Sequence, residues 1–433
     1  MPLSAVSRRR LLQLSGAGLA AGALTSLTGP AFAQGQSIKV WDQFATEPLL
    51  SAFQKVLDNY AASSGNSLVR EVQLGSNIKD IAATALASGT GPDILQYSVG
   101  QGNAGLLADA NLIVPMDDYA SQYGWNDRLS SIALLEASLD GKLWGAPQES
   151  EVSLLFVNKS LFEQYGWEVP TTHEEMVALA KAAKAAGVVA IAYGQQDWYP
   201  SWWGASHVIS NAMGAKAAAD ITFNNEGSFN TPEVVDGIEK FWVELVDAGA
   251  FVPELNALPA ADAQALFVAG GALLYMSGTW GVGGIEENMP GVDLDIIPMW
   301  SFNGKPRCYP TGSGSAMYIS AASEVKDEAA DLINFLYELE QATIMAEEAS
   351  IIAPISIDAG TLDLSAFQKR SVESVATGDG DPAVSQGAFV NHGLAGPNFH
   401  RLLTSGFQAL VSGDTTSAQL AADLQAAWEQ DNA

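Results

Sequence analysis

The sequence predicts an α/β protein folded as two lobes, and three observations carry that prediction. Its 433 residues, 48% of them hydrophobic, exceed what a single hydrophobic core usually holds. Short β-rich runs alternate with amphipathic helical stretches in two successive series. No fixed-period repeat, low-complexity tract or linker separates the series, so several chain crossings between the lobes fit better than two beads on a string.

The first series begins with "SIKVWDQ", a β-rich run, followed by Thr46-Glu47-Pro48, a helix start with proline in the first turn. Leu49, Leu50, Phe53, Val56, Leu57 and Tyr60 then share one helical face. "NSLVREVQL" predicts a second strand, Ile78, Ile81, Ala82, Ala85 and Leu86 a second amphipathic helix, and "PDILQY" a third strand. Strand, helix, strand, helix, strand implies a parallel, doubly wound sheet that binds ligands beyond the carboxyl ends of its strands. That rule points at Asp42-Gln43 and Tyr97-Ser98. The second series runs through "VSLLFV", a helix over Thr172–Ala186 stopped by Gly187, "VVAIAY" and a helix over Pro232–Ala248. "GALLYMSGTW" and "VDLDIIPM" add strand-like runs, "GSAMYISAAS" leads into a helix expected over Val325–Leu339, and a last helix is expected over Ser417–Trp428.

Residues 1–33 stand apart. Ser7-Arg8-Arg9-Arg10-Leu11-Leu12 precedes a Gly/Ala-rich apolar run ending Ala31-Phe32-Ala33, the pattern of an export signal of the twin-arginine class. They hold three arginines and no acid, which leaves 17 basic against 49 acidic residues beyond them. So negative a surface repels nucleic acid and anionic lipid. Cys308 is the only cysteine, which excludes an intrachain disulfide and leaves none near Ala33 to carry a lipid anchor. Beyond residue 33 no run of 18 or more apolar residues would span a bilayer. A soluble periplasmic protein is expected.

Catalytic signatures are weak. Gly100-Gln-Gly102-Asn-Ala-Gly105 has dinucleotide-site spacing, but only six residues separate Gly105 from Leu112, too few for a crossover helix, so a glycine-rich loop is expected. There is no G-x-S-x-G elbow, and His173, His207, His392 and His400 are scattered without metal-ligand spacing. Asp379-Gly-Asp381 matches a calcium loop only in fragment. Lys159 has no paired base, and no catalytic, metal or cofactor role is assigned. Aromatic residues in polar, Gly/Pro-rich stretches stand out instead: Trp41 beside Asp42-Gln43, "QQDWYPSWWG" over 195–204, and "SGTWGVGG" over 277–284. Flat rings beside carboxylates and amides suit a sugar, whose CH-rich face stacks while its hydroxyls require hydrogen bonds.

An ordered series of segments spanning nearly the whole chain beyond residue 33 then becomes recognisable: "IKVWDQ", "FQKVLDNYAASSG", "LASGTGPDIL", "LLADANLIVPMDDY", "DGKLWGAPQESEVSLLFVNKSLFEQYGWEVPTTHEEM", "LFVAGGALLYMSGTW" and "EAADLINFLYE". The chain resembles the extracellular solute-binding proteins of ABC importers, the sugar-binding, maltose-binding-protein-like family, with Val157-Asn158-Lys159 where the family carries Tyr-Asn-Lys. The resemblance implies two hinge-linked α/β lobes with the ligand cleft between them, residues 37–146 plus 315–350 against 147–314 plus 351–433, with crossings near Ala146-Pro147, Gly312-Ser313-Gly314 and Ala353-Pro354. It implies ligand contacts at Asp42, Gln43, Tyr97, Ser98, Glu151 and Trp280, with Glu149 and Gln101 as neighbours in the same loops. Tyr193, Asp197 and Trp198 are added from their place after "VVAIAY", and Gly312, Ser313 and Gly314 as a small-residue crossing whose backbone amides could reach ligand. The implied protein is a non-enzymatic, monomeric receptor that takes a neutral carbohydrate or polyol to a membrane permease. The alternatives are an exported nucleotide-cofactor-dependent oxidoreductase and the same receptor fold binding a polyamine or other cation.

Overall fold

The computed structural model describes residues 35–377 and 384–433, so the expected export segment and the Asp379–Asp381 turn lie outside the described residues. Residues 36–433 form one compact unit. Its strands are β1 (Ser37–Asp42), β2 (Ser67–Val72), β3 (Ile94–Ser98), β4 (Ala146–Pro147), β5 (Glu151–Asn158), β6 (Val189–Ala192), β7 (Ala272–Gly278), β8 (Leu294–Ile297), β9 (Arg307–Gly312), β10 (Ser315–Ile319) and β11 (Val384–Ala388). The helices that matter most for the cleft are α1 (Leu49–Ser64), α2 (Gly75–Ala87), α3 (His173–Ala186) and α4 (Trp198–Met213).

Two sheets result. The first has the order β2-β1-β3-β10-β4, and the second β11-β9-β5-β7-β6 with β8 paired to β5. The parallel expectation holds for β2, β1 and β3, which are joined by the crossover helices α1 and α2. It does not hold for β10, which enters antiparallel to β3, or for β5, which runs antiparallel to β7. The cause is connectivity. β5 and β10 each arrive from the other sheet after three and two residues respectively, with no crossover helix to reverse the chain.

Each sheet is buried against its own helices. Val40, Leu95, Tyr318, Phe53 and Tyr60 belong to one core, and Leu155, Ile191, Leu274, Trp242 and Phe407 to the other. α1 buries Ala52, Phe53, Val56, Leu57 and Tyr60, the face expected from the period, and ends on Gly65 at φ 74°. In α3, Thr172 and Glu175 form a reciprocal capping box, and Gly187 stops the helix. Lys159 is an exposed residue opening a short helix capped by Asn158, and it pairs with Asp293 at 3.0 Å.

Four predicted segments differ. The stretch 198–204, read as an aromatic loop, is the start of α4. Its Pro200 sits in the first turn, where a missing N–H costs nothing. The helix expected over 232–248 contains a π segment at Lys240–Glu244, and that over 325–339 ends at Leu336 before a separate helix over Leu339–Ala349. Gln101–Gly105 winds into a π turn rather than an open loop, and its Gln101 and Gly102 amides donate to the Gly393 and Ala395 carbonyls of the second lobe, each at 2.9 Å. Those two amides, which a dinucleotide phosphate would need, are already spent.

Candidate functional site

The cleft between the sheets is built where the chain crosses. Between β4 and β5 it passes through Gln148-Glu149-Ser150, and between β9 and β10 through Ser313-Gly314. These adjacent crossings form the floor of a cavity of about 250 Å³. The first lobe contributes Gln43, Phe44, Gln96 and Ser98, and the floor contributes Glu149, Glu151, Gly314 and Ser315. The second lobe contributes Trp198, Tyr199, Trp202 and Trp203 from α4, Trp280 from the turn after β7, and Phe389, Asn391 and His392 after β11. A wider cavity of about 750 Å³, which includes Glu47 and Asp197, shares Gln43, Leu49, Tyr199, Trp203 and Trp280 with it.

The aromatic wall comes from helical spacing. Trp198 and Trp202, and likewise Tyr199 and Trp203, lie four residues apart and so stack on one face of α4. The Trp198 and Trp202 centroids are 4.4 Å apart, those of Tyr199 and Trp203 5.1 Å. Trp203 meets Trp280 at 4.9 Å, and Trp280 also packs on the first lobe's core. Gly278 is required beside it, because a Cβ there would lie 2.1 Å from the Trp280 ring.

The floor is acidic and buried. Glu149 and Glu151 are buried, two residues apart, and both face the cavity. Among the described residues, Glu149 accepts a single long contact from the Ser315 hydroxyl, at 3.5 Å. Burial pushes its carboxyl up to about 7. Glu151 is raised well above the usual carboxylate range by burial, then by the charges of Glu149 and Glu136. Behind them Glu136, fully buried, accepts from the Ser313 amide and lies 3.1 Å from Nδ1 of His392. Gly314, at φ 58°, admits the Glu151 carboxylate, since a Cβ there would overlap it at 1.7 Å. Gln43 is fixed by its amide donating to Gln96 Oε1 at 2.6 Å.

Of the residues singled out in the sequence, Gln43, Ser98, Glu149, Glu151, Trp198, Trp280 and Gly314 are brought together here. Others are placed elsewhere. Asp42 points away from the cleft into a buried ion pair, with Arg70 Nε at 2.7 Å and Nη2 at 2.8 Å. Tyr97 alternates to the opposite face of β3 from Gln96 and Ser98 and packs in the first core. Tyr193 is a core residue of the second lobe, its hydroxyl donating to Pro200 O at 3.0 Å. Gln101 lines a separate cavity with Lys142 and Trp144. Asp197 lies on the wider cavity, but one carboxylate oxygen accepts from the Ala260 amide at 2.8 Å. Gly312 and Ser313 abut Glu136, and the Ser313 amide is spent on it.

Sequence reasoning missed Tyr199, Trp202 and Trp203, although their spacing of four from one another and from Trp198 was visible. It also missed Gln96, which the strand period places on the same face as Ser98. Nothing local marked Phe389, Asn391 or His392.

The sequence model of the bacterial extracellular solute-binding protein family matches residues 55–366. The chain belongs to this family. Among curated relatives, a probable sugar-binding periplasmic protein of Mesorhizobium japonicum is 28% identical over 52% of the chain, and the match spans 54% of that relative's length. The galactooligosaccharide-binding protein of Bacillus subtilis is 26% identical, over 78% of this chain and 77% of its own. Solved solute-binding proteins share the fold. A chitin oligosaccharide binding protein superposes with a TM-score of 0.79 at 20% identity, covering 92% of this chain and 99% of that one. An ABC transporter solute-binding protein from Thermotoga lettingae, bound with α-D-tagatose, gives 0.78 at 16% identity, covering 92% and 100%. Members of this family bind solutes rather than transform them. Among the described residues no helix is long and apolar enough to cross a membrane, and no cluster of His, Cys, Asp and Glu is placed to hold a metal.

Proposed function

We propose that this solute-binding protein is the sugar-binding component of an ABC importer, taking a neutral carbohydrate between its lobes and presenting it to a membrane permease. The observation that carries the reading is the pairing of a tryptophan wall, Trp203 against Trp280, with the polar groups of Gln43 and Ser98 and the floor carboxyls of Glu149 and Glu151 in one cleft. The rings offer apolar faces to a pyranose, while the carboxyls and amides meet its hydroxyls. Ligand touching both lobes favours closure because only the closed state makes both sets of contacts. Export by the twin-arginine route, residence in the periplasm and action as a monomer complete the proposal.

The two buried carboxyls, which have no cationic partner among the described residues, favour one second reading, an amine-bearing ligand such as a polyamine. A thermal-shift panel of monosaccharides, oligosaccharides, polyols, polyamines and amino acids separates the two, since a ligand that binds only the folded state raises the melting temperature. We expect a neutral carbohydrate to give the largest shift. A response to polyamines alone would overturn the sugar reading. Trp280→Ala is expected to cost roughly 1–3 kcal/mol of binding to that sugar by calorimetry, the range for truncating a buried aromatic contact. Unchanged affinity would remove Trp280 from the site.

A further inference from the structure

Lys79 lies outside both cavities, yet it links the first lobe to the aromatic wall of the second. It stands on α2, and its Nζ donates to Asn103 Oδ1 at 2.6 Å. Asn103 is itself buried and tied to the Val99 carbonyl at 2.9 Å, so the ammonium is anchored in the first lobe. From there Nζ reaches the faces of two second-lobe rings, 3.9 Å from the centroid of Trp198 and 4.2 Å from that of Trp202. Trp202 is held from another side by His400, stacked at 4.2 Å and 24°. Both tryptophans also line the ligand cavity.

No carboxylate pairs with Lys79 among the described residues, and burial lowers its ammonium to about 7. Its compensation is the amide oxygen and the two π faces, an arrangement that attracts a desolvated cation. Nearby His400 is pushed down to about 3, by burial first and then by Lys79, so it stays neutral and does not compete for the rings.

We propose that Lys79 is a positioning residue: its ammonium, anchored in the first lobe, clamps Trp198 and Trp202 of the second lobe and so sets one wall of the ligand cavity when the lobes close. The clamp needs no ligand. It biases the free protein toward closure, and opening the lobes strips the ammonium from both rings. Affinity for any occupant of the cavity then depends on a residue that does not line it, because a binding-competent state that is less populated lowers apparent affinity in proportion.

The test uses the full chain carrying spin labels at Leu74→Cys and Ala261→Cys, which border the wider cavity from opposite lobes. Cys308 is buried, with its thiol raised to about 12, and stays unlabelled. In the ligand-free protein at pH 6, where Lys79 carries its proton, K79M is expected to lengthen the interspin distance by several ångströms, while K79R keeps the cation on the rings and leaves the distribution as in the wild type. With galactobiose as the probe, K79M is expected to bind about tenfold more weakly and K79R within about twofold of the parent. A purely structural lysine would be expected to lower the melting temperature of K79M without moving the distance. K79M giving the wild-type distance overturns the proposal, as does K79R behaving like K79M. If K79M does not fold, K79Q carries the same expectations. Failure of the parent to bind galactobiose or any other sugar would count against the sugar reading on which the affinity arm rests, and the ligand-free distance would still decide the role of Lys79.

Discussion

Asp42→Ala is expected to destabilise the fold by about 3–5 kcal/mol, the cost of leaving a buried cation without its partner. Arg70 is enclosed, with its side chain 7% exposed against 0% for Asp42. Beyond the two bonds to Asp42, its guanidinium donates to the Leu50 carbonyl at 2.8 Å and to the Phe44 carbonyl at 3.4 Å. The Asp42 carboxylate also accepts from the Phe44 amide at 2.9 Å. The pair therefore fixes the turn that carries Gln43 and Phe44 to the cleft, and its loss frees both. For a chain of this size the melting temperature should fall by roughly 5 °C in calorimetry. Asp42→Ala combined with Arg70→Met should recover part of the loss, because it removes the stranded charge. A single variant with wild-type stability but abolished ligand affinity would return Asp42 to the binding site.

Glu149→Gln is expected to act in the opposite direction on stability and to do so only at high pH. Glu149 titrates near 4.5 when unfolded and is raised to about 7 in the fold, chiefly by burial and despite the Ser315 hydroxyl. A carboxyl raised in this way holds its proton longer in the folded state, so its contribution is fully present below about 4.5 and is lost as pH rises through about 7. In the ligand-free protein the loss is on the order of 3 kcal/mol for a shift of this size. The amide keeps the shape and carries no charge. Denaturant melts at pH 4.5 should therefore give similar stabilities for the two proteins, while at pH 8 the variant should be the more stable. Sugar affinity should fall in the same variant, because a strong hydroxyl acceptor has been replaced by a weaker one. Parallel stability profiles across this range would mean that Glu149 is ionised and solvated at the cleft floor.

Much of the architecture was legible because local pattern and tertiary role agreed. The α1 face of Phe53, Val56, Leu57 and Tyr60 and the helix stop at Gly187 both read directly from spacing and residue type. The start of α4 did not. Gly, Pro and four aromatic rings in seven residues resemble a loop by composition, and only the four-residue spacing betrays the helix. Strand direction in the mixed sheets depends on which lobe the preceding segment left, which no local window contains. Asp42 shows a different limit. Its partner Arg70 sits opposite Val40 in the parallel register, so the ion pair follows from the alignment of β1 with β2, 28 residues apart in sequence. At the floor, Glu149 and Glu151 were visible as neighbours of a strand, but the third carboxylate, Glu136, and its partner His392 are separated by 256 residues and meet only in the fold.

On the proposed reading one sugar binds between the lobes, on the tryptophan wall and over the acidic floor. A crystal structure grown with the carbohydrate that gives the largest thermal shift tests it most directly. Density is expected for a pyranose ring stacked on Trp280 or Trp203, with hydroxyls within hydrogen-bonding distance of Glu149 or Glu151 and of Gln43. Sugar density confined to another cavity, or a cleft holding only water at saturating sugar, would contradict it.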